Sequence, residues 1–69
     1  MAIVKTIIRV PSQDATYVIP QEWTAAQVQN MYAQQIPGIT SMVSTVEEAE
    51  GPTGGERTIT FTQRSGNKG

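Results

Sequence analysis

Only one stretch of this chain carries a helical period, and two prolines fence it off from β-branched runs on either side. Between Pro20 and Pro37, Val28, Met31, Tyr32 and Gln35 recur at i, i+3, i+4 and i+7, while Gln27, Gln29, Asn30 and Gln34 fall on other faces. That is one apolar stripe with a polar back. Three signals mark its start: Thr24 at the N-cap, Gln27 three residues on in the capping-box position, and Trp23 placed to staple against Val28. Pro37-Gly38 stops it, and the proline biases Ile36 away from helical ψ. The helix is expected over residues 25–35, and the rest must be strand or turn.

Ahead of it, Ile3 to Val10 alternates Val4, Thr6, Ile8 and Val10 against Ile3, Lys5, Ile7 and Arg9, the period of a strand. Pro11 and Ser12-Gln13-Asp14 supply a turn before Ala15-Thr16-Tyr17-Val18-Ile19 resumes strand character, so the two runs pair as an antiparallel hairpin that Pro20 ends. Beyond the helix, Thr40 to Val46 reads as a third strand. The glycine-rich Gly51-Pro52-Thr53-Gly54-Gly55 reads as a long turn, within an acidic loop from Glu47 to Glu56. Arg57 to Thr62 is the fourth strand, with Ile59 and Phe61 on the face the helix packs and Thr58, Thr60 and Thr62 on the wet face. Strand, strand, helix, strand, strand is an α+β two-layer order, one helix across a four-stranded mixed sheet. A right-handed crossover is expected to bring the third strand back beside the first, in the connectivity of a ubiquitin-like β-grasp, ββαββ. Residues 1–63 form the single domain in this reading, and residues 64–69 a flexible C-terminal tail.

Sixty-nine residues leave room for one domain with little stability to spare. Most of the apolar set (Ile3, Val4, Ile7, Ile8, Val10, Tyr17, Val18, Ile19, Trp23, Val28, Met31, Tyr32, Ile36, Ile39, Val43, Val46, Ile59 and Phe61) is therefore expected in the core. Cysteine and histidine are both absent, which removes disulfides, thiol nucleophiles and the usual zinc ligands. The formal net charge is −1, and Lys5, Arg9, Arg57, Arg64 and Lys68 are dispersed along the chain. Without a basic face a nucleic-acid partner is not expected. No window approaches the run of about 20 apolar residues that a membrane span needs, and the expectation is a cytoplasmic protein without a membrane partner.

Internal catalysis is not expected. No carboxylate pair stands beside a histidine or thiol, and Ser12, Ser41, Ser44 and Ser65 have no base to activate them. Gly51 to Glu56 lacks the lysine and hydroxyl of a phosphate loop. No metal site is anticipated, and no cofactor of the chain's own. What remains is the closing run Arg64-Ser65-Gly66-Asn67-Lys68-Gly69. Extended from the last strand, those six residues carry a terminal carboxylate about 20 Å beyond the body. A side-chain-free last residue lets that carboxylate approach an enzyme's nucleotide closely. Thr58, Thr60 and Thr62 form a second candidate, an open face on which a partner can land.

The phrase Tyr32-Ala33-Gln34-Gln35-Ile36-Pro37 in the helix and the ending Gly66-Asn67-Lys68-Gly69 resemble the prokaryotic ubiquitin-like family of the PRTRC system protein C type. The resemblance implies a β-grasp fold and a gene cassette with a ThiF/E1-like activating enzyme, a JAB-type peptidase and, in related systems, an E2-like protein. It implies that the Gly69 carboxylate is adenylated with ATP held by the partner enzyme, then passed to a thiol and on to a target. Carried over by position, Gly69 is the activated end, Gly66 a joint, and Arg64 and Lys68 contacts for the activating enzyme. One departure is Lys68, which stands where ubiquitin and the sulfur carriers have the first of two adjacent glycines. A non-covalent β-grasp interaction module is the alternative class, and a sulfur carrier a third.

Overall fold

Two long strands of opposite hydrophobic phase, joined to an antiparallel partner each, build the sheet. The computed structural model describes residues 2–63, in the order β1 (Ile3–Val10), β2 (Ala15–Ile19), α1 (Ala25–Met31), β3 (Val43–Gly51) and β4 (Gly54–Thr62), with short 3-10 turns at Pro11–Gln13 and Ile39–Ser41. The result is a small α+β domain with one helix on a four-stranded mixed sheet, strand order β2-β1-β4-β3. Residues 64–69, the expected tail, lie outside the described residues.

The expected hairpin is present, with Ile7 opposite Val18 and Ile8 opposite Tyr17. The expected neighbour of β1 is not. It is β4, running parallel with Ile8 opposite Ile59, that lies beside β1, and β3 occupies the outer edge. Burial explains the swap, because Ile59 and Phe61 on β4 are wholly inaccessible whereas β3 residues 43–50 are all exposed. The strand that alternates most cleanly takes the centre, where both neighbours help to bury its apolar face.

The acidic stretch also departs from expectation. Glu47, Glu48, Ala49 and Glu50 continue β3, and Gly54, Gly55 and Glu56 open β4, so the long loop shrinks to Pro52-Thr53 between the paired glycines Gly51 and Gly54. Glutamate is a poor strand former, but the nine-pair ladder with β4 and the Glu48–Arg57 cross-strand pair outweigh that preference. Gly54 has φ of 139°, open only to glycine, and an added Cβ would meet the Val4 side chain at 2.9 Å.

The helix is capped as the sequence foretells: the Gln27 amide donates to the Thr24 hydroxyl at 3.2 Å and the Thr24 amide to the Gln27 side-chain carbonyl at 2.9 Å. It ends at Met31, four residues short of expectation. Tyr32 caps it, and the Gln35 and Ile36 amides both bond back to the Tyr32 carbonyl, folding the chain over so that Ile36 is wholly buried. Gly38, at φ 80°, makes the next reversal.

Ile8, Val10, Ile19, Val28, Ile36, Ile39, Met42, Ile59 and Phe61 form the core, with Trp23 and Tyr32 packed against it. Val4, Val18, Met31, Val43 and Val46, expected inside, are exposed. Thr6 is the one buried polar side chain in the described body. Its hydroxyl donates to the Gln21 carbonyl at 2.7 Å and accepts from the Trp23 amide at 2.9 Å, which ties the centre of β1 to the segment leading into α1. Thr6→Val keeps the shape and strands both backbone groups, so it should lower unfolding free energy by about 1–3 kcal/mol. The check is a lower urea midpoint at unchanged m-value, and an unshifted midpoint would deny the tie any structural weight.

Candidate functional site

Three surfaces carry what the sequence proposed or left unread: the root of the tail, the open sheet face and the β3 side of the helix. The described chain ends at Gln63, one residue past β4. Gln63 lines a cleft of about 340 Å³ together with Thr40, Ser41 and Met42. The strand leading there is held on both sides, by β1 through Arg9 opposite Thr60 and by β3 through Val43 opposite Thr62. Arg64, Gly66, Lys68 and Gly69 lie beyond the described residues.

The open face follows from the registers. Ile7 lies between Val18 and Thr58, Arg9 between Thr16 and Thr60, and Thr45 and Glu47 continue the two rows onto β3. Thr58 and Thr60 are half-buried by these longer neighbours, and Thr62 at the strand end is exposed. Threonine spacing placed all three on the face opposite the core, and the structure keeps them there. It adds an apolar spot that the spacing did not reveal, Val18 at 60% exposure beside Ile7. Lys5 and Glu56 pair across the same face at 3.3 Å.

On the helix side, Arg57 organises the junction of α1 with β3. Its guanidinium donates to the Trp23 carbonyl at 2.8 Å and to the carboxylates of Glu48 at 2.9 Å and Glu22 at 3.0 Å. Three acceptors from two segments, the approach to α1 and β3, meet on one planar donor fork, which a lysine cannot satisfy together. With Thr24, Ala25, Val46 and Glu48, Arg57 lines a groove of about 240 Å³. In the sequence Arg57 was only one dispersed charge among five; the residues it joins lie nine and about thirty-five positions away, so no local pattern marks it.

Chemically, the described body offers binding surfaces. No three metal-ligating side chains come together among the described residues, and no helix there is long and apolar enough to cross a membrane. Comparison with known proteins found no matching family model, no similar curated protein and no similar solved structure.

Replacing Arg57 by methionine keeps the stem and removes the fork. It should cost about 1–3 kcal/mol, since a hydrogen bond to a charged group is lost and the Trp23 carbonyl is left short of a donor. Arg57→Lys should recover only part of this, a comparison that thermal and urea unfolding of the two variants will decide.

Proposed function

We propose that this chain is a ubiquitin-like protein modifier, a β-grasp body whose tail presents the Gly69 carboxylate to a ThiF/E1-like activating enzyme. The sheet order β2-β1-β4-β3 under one helix is compatible with a β-grasp. The observation that carries the reading is the position of β4. The strand that feeds the tail is the parallel partner of β1 and the antiparallel partner of β3, anchored by wholly buried Ile59 and Phe61. A terminus led from the best-held strand of a small body offers an enzyme a fixed handle at its root.

The chemistry belongs to the partner. A carboxylate oxygen of Gly69 attacks the α-phosphorus of ATP, pyrophosphate leaves, and a thiolate of the partner then displaces AMP from the acyl carbon to give a thioester. Arg64 and Lys68 serve as recognition contacts in this scheme, Gly66 as the joint, an E2-like protein as a later carrier and a JAB-type peptidase as the enzyme that reverses the bond. A second reading, a non-covalent module that binds through Thr58, Thr60 and Thr62, draws support from the exposed Val18 beside Ile7 on that face.

Incubation with a ThiF/E1-like enzyme and ATP should yield ATP–pyrophosphate exchange and a thiol-sensitive adduct, both lost when Gly69 is deleted. Equal exchange from the truncated chain would overturn the modifier reading. Partner capture that ignores the truncation and is abolished by Thr58→Lys with Thr60→Lys would establish the second.

A further inference from the structure

An edge strand exposes half of its backbone hydrogen-bonding groups, and which half is fixed by the register of the pair behind it. In the β3–β4 ladder the turn is closed by Gly51 and Gly54 with only two residues between them, a geometry in which these two must exchange both hydrogen bonds. Alternation then makes Ala49–Glu56, Glu47–Thr58, Thr45–Thr60 and Val43–Thr62 the bonded pairs. The amides and carbonyls of Ser44, Val46, Glu48 and Glu50 point away from the sheet, along the outer edge of its outermost strand. Nine residues give this edge a length of about 30 Å, and residues 43–50 are exposed on both faces.

The side chains along it are unevenly charged. Val43 and Val46, at 43% and 47% exposure, make the first half apolar. Glu47, Glu48 and Glu50 make the second half acidic. Only Glu48 reaches a cation, Arg57; Glu47 and Glu50 have none within ion-pair distance among the described residues. On the helix side, next to Val46 and Glu48, lies the groove walled by Ala25, Thr24 and Arg57.

We propose that the outer edge of β3 is a docking site for an extended peptide segment of a partner protein, cationic at its N-terminal end and apolar at its C-terminal end, which adds as a fifth, antiparallel strand. Main-chain bonds to Ser44, Val46, Glu48 and Glu50 supply the affinity and the alternating side chains the selectivity. Cationic residues stand opposite Glu47, Glu48 and Glu50, and apolar ones opposite Val43 and at the rim of the groove beside Val46. The same glutamates hinder edge-to-edge pairing with a second copy, so the charge that deters self-association selects a cationic strand. Nothing here depends on the chemistry of Gly69.

The test uses the full chain and an acetylated, amidated peptide of sequence Lys-Thr-Lys-Lys-Val-Thr-Thr-Val, titrated by NMR and by calorimetry in 50 mM salt. Binding should shift the amides of Ser44, Val46, Glu48 and Glu50 and slow their hydrogen exchange, more than those of Thr45, Glu47 and Ala49. The E47K/E50K variant, whose fold is checked by circular dichroism, should bind at least about tenfold more weakly, and 0.5 M salt should weaken the wild type as well. A peptide N-methylated at the amides that face β3 should not bind. Absence of binding at millimolar peptide, or binding that survives either the charge reversal or the N-methylation, overturns the proposal. Self-association of the chain through this edge that the peptide does not displace overturns it in favour of a second copy as occupant.

Discussion

One helix of seven residues has to roof a four-stranded sheet, and it is too small to do so. It rises about 10 Å and is about 10 Å across with its side chains, while four strands set about 4.8 Å apart spread their axes over about 14 Å and, at nine residues, run about 30 Å. The helix and the 3-10 turn after it cover β2, β1 and β4, which hold every buried strand residue: Thr6, Ile8, Val10, Ile19, Gly55, Ile59 and Phe61. β3 is left bare. Its place at the edge follows, because the strand that gains least from burial is the one that loses least by lying outside.

That limit raises the importance of where the helix starts. With Val28 as its only wholly buried residue, α1 has little apolar contact to fix its position, and polar ties fix it instead. The Thr6 hydroxyl holds Gln21 and Trp23, the capping box organises Thr24 to Gln27, Arg57 grips the Trp23 carbonyl, and the Gln29 side chain donates to the Ile39 carbonyl at 3.0 Å. Tyr32 packs the other end against Tyr17, ring centroids 5.2 Å apart and tilted by 55°, and meets Trp23 edge-on at 6.5 Å. Beside the capping box and the Trp23–Tyr32 contact, which are internal, the ties from Thr6, Arg57, Ile39 and Tyr17 join the helix or its approach to β1, β4, the 3-10 turn and β2, so together they set its position on the sheet.

What was legible in the sequence was local. The capping box and the phase of Ile59 and Phe61 depend on residues within three positions of one another, the first hairpin on a four-residue turn between adjacent strands, and all three are as the pattern foretold. The misplaced features depend on partners far along the chain. Glu47 to Glu50 reads as loop because its own residues disfavour strands, yet β4 draws it into the ladder. The helix stripe through Met31 and Gln35 stops at Met31, where the chain folds over Tyr32 with Ile36 buried; the local stop signal, Pro37, stands several residues later. The exchange of β3 and β4 depends on distant partners too, since both are amphipathic in part and only the limited roof decides between them. Of the candidate sites, the face of Thr58, Thr60 and Thr62 was readable from a period of two, whereas the Arg57 junction and the β3 edge needed the register.

The two central strands and the two outer ones therefore differ in what they leave available. β4 has both edges satisfied and its core face buried, so what it offers is its far end, where Gln63 leads out of the sheet beside Thr40, Ser41 and Met42. β3 has one satisfied edge and no buried side chain before Gly51, so what it offers is its length. β2, at the opposite margin, is only five residues long and follows a turn that includes Asp14 at φ 52°; a short edge of that kind is the less serviceable template. A small α+β domain with one undersized helix thus separates the far end of a fully paired central strand from the open backbone edge of an outer one, and the two lie on different strands of the same hairpin.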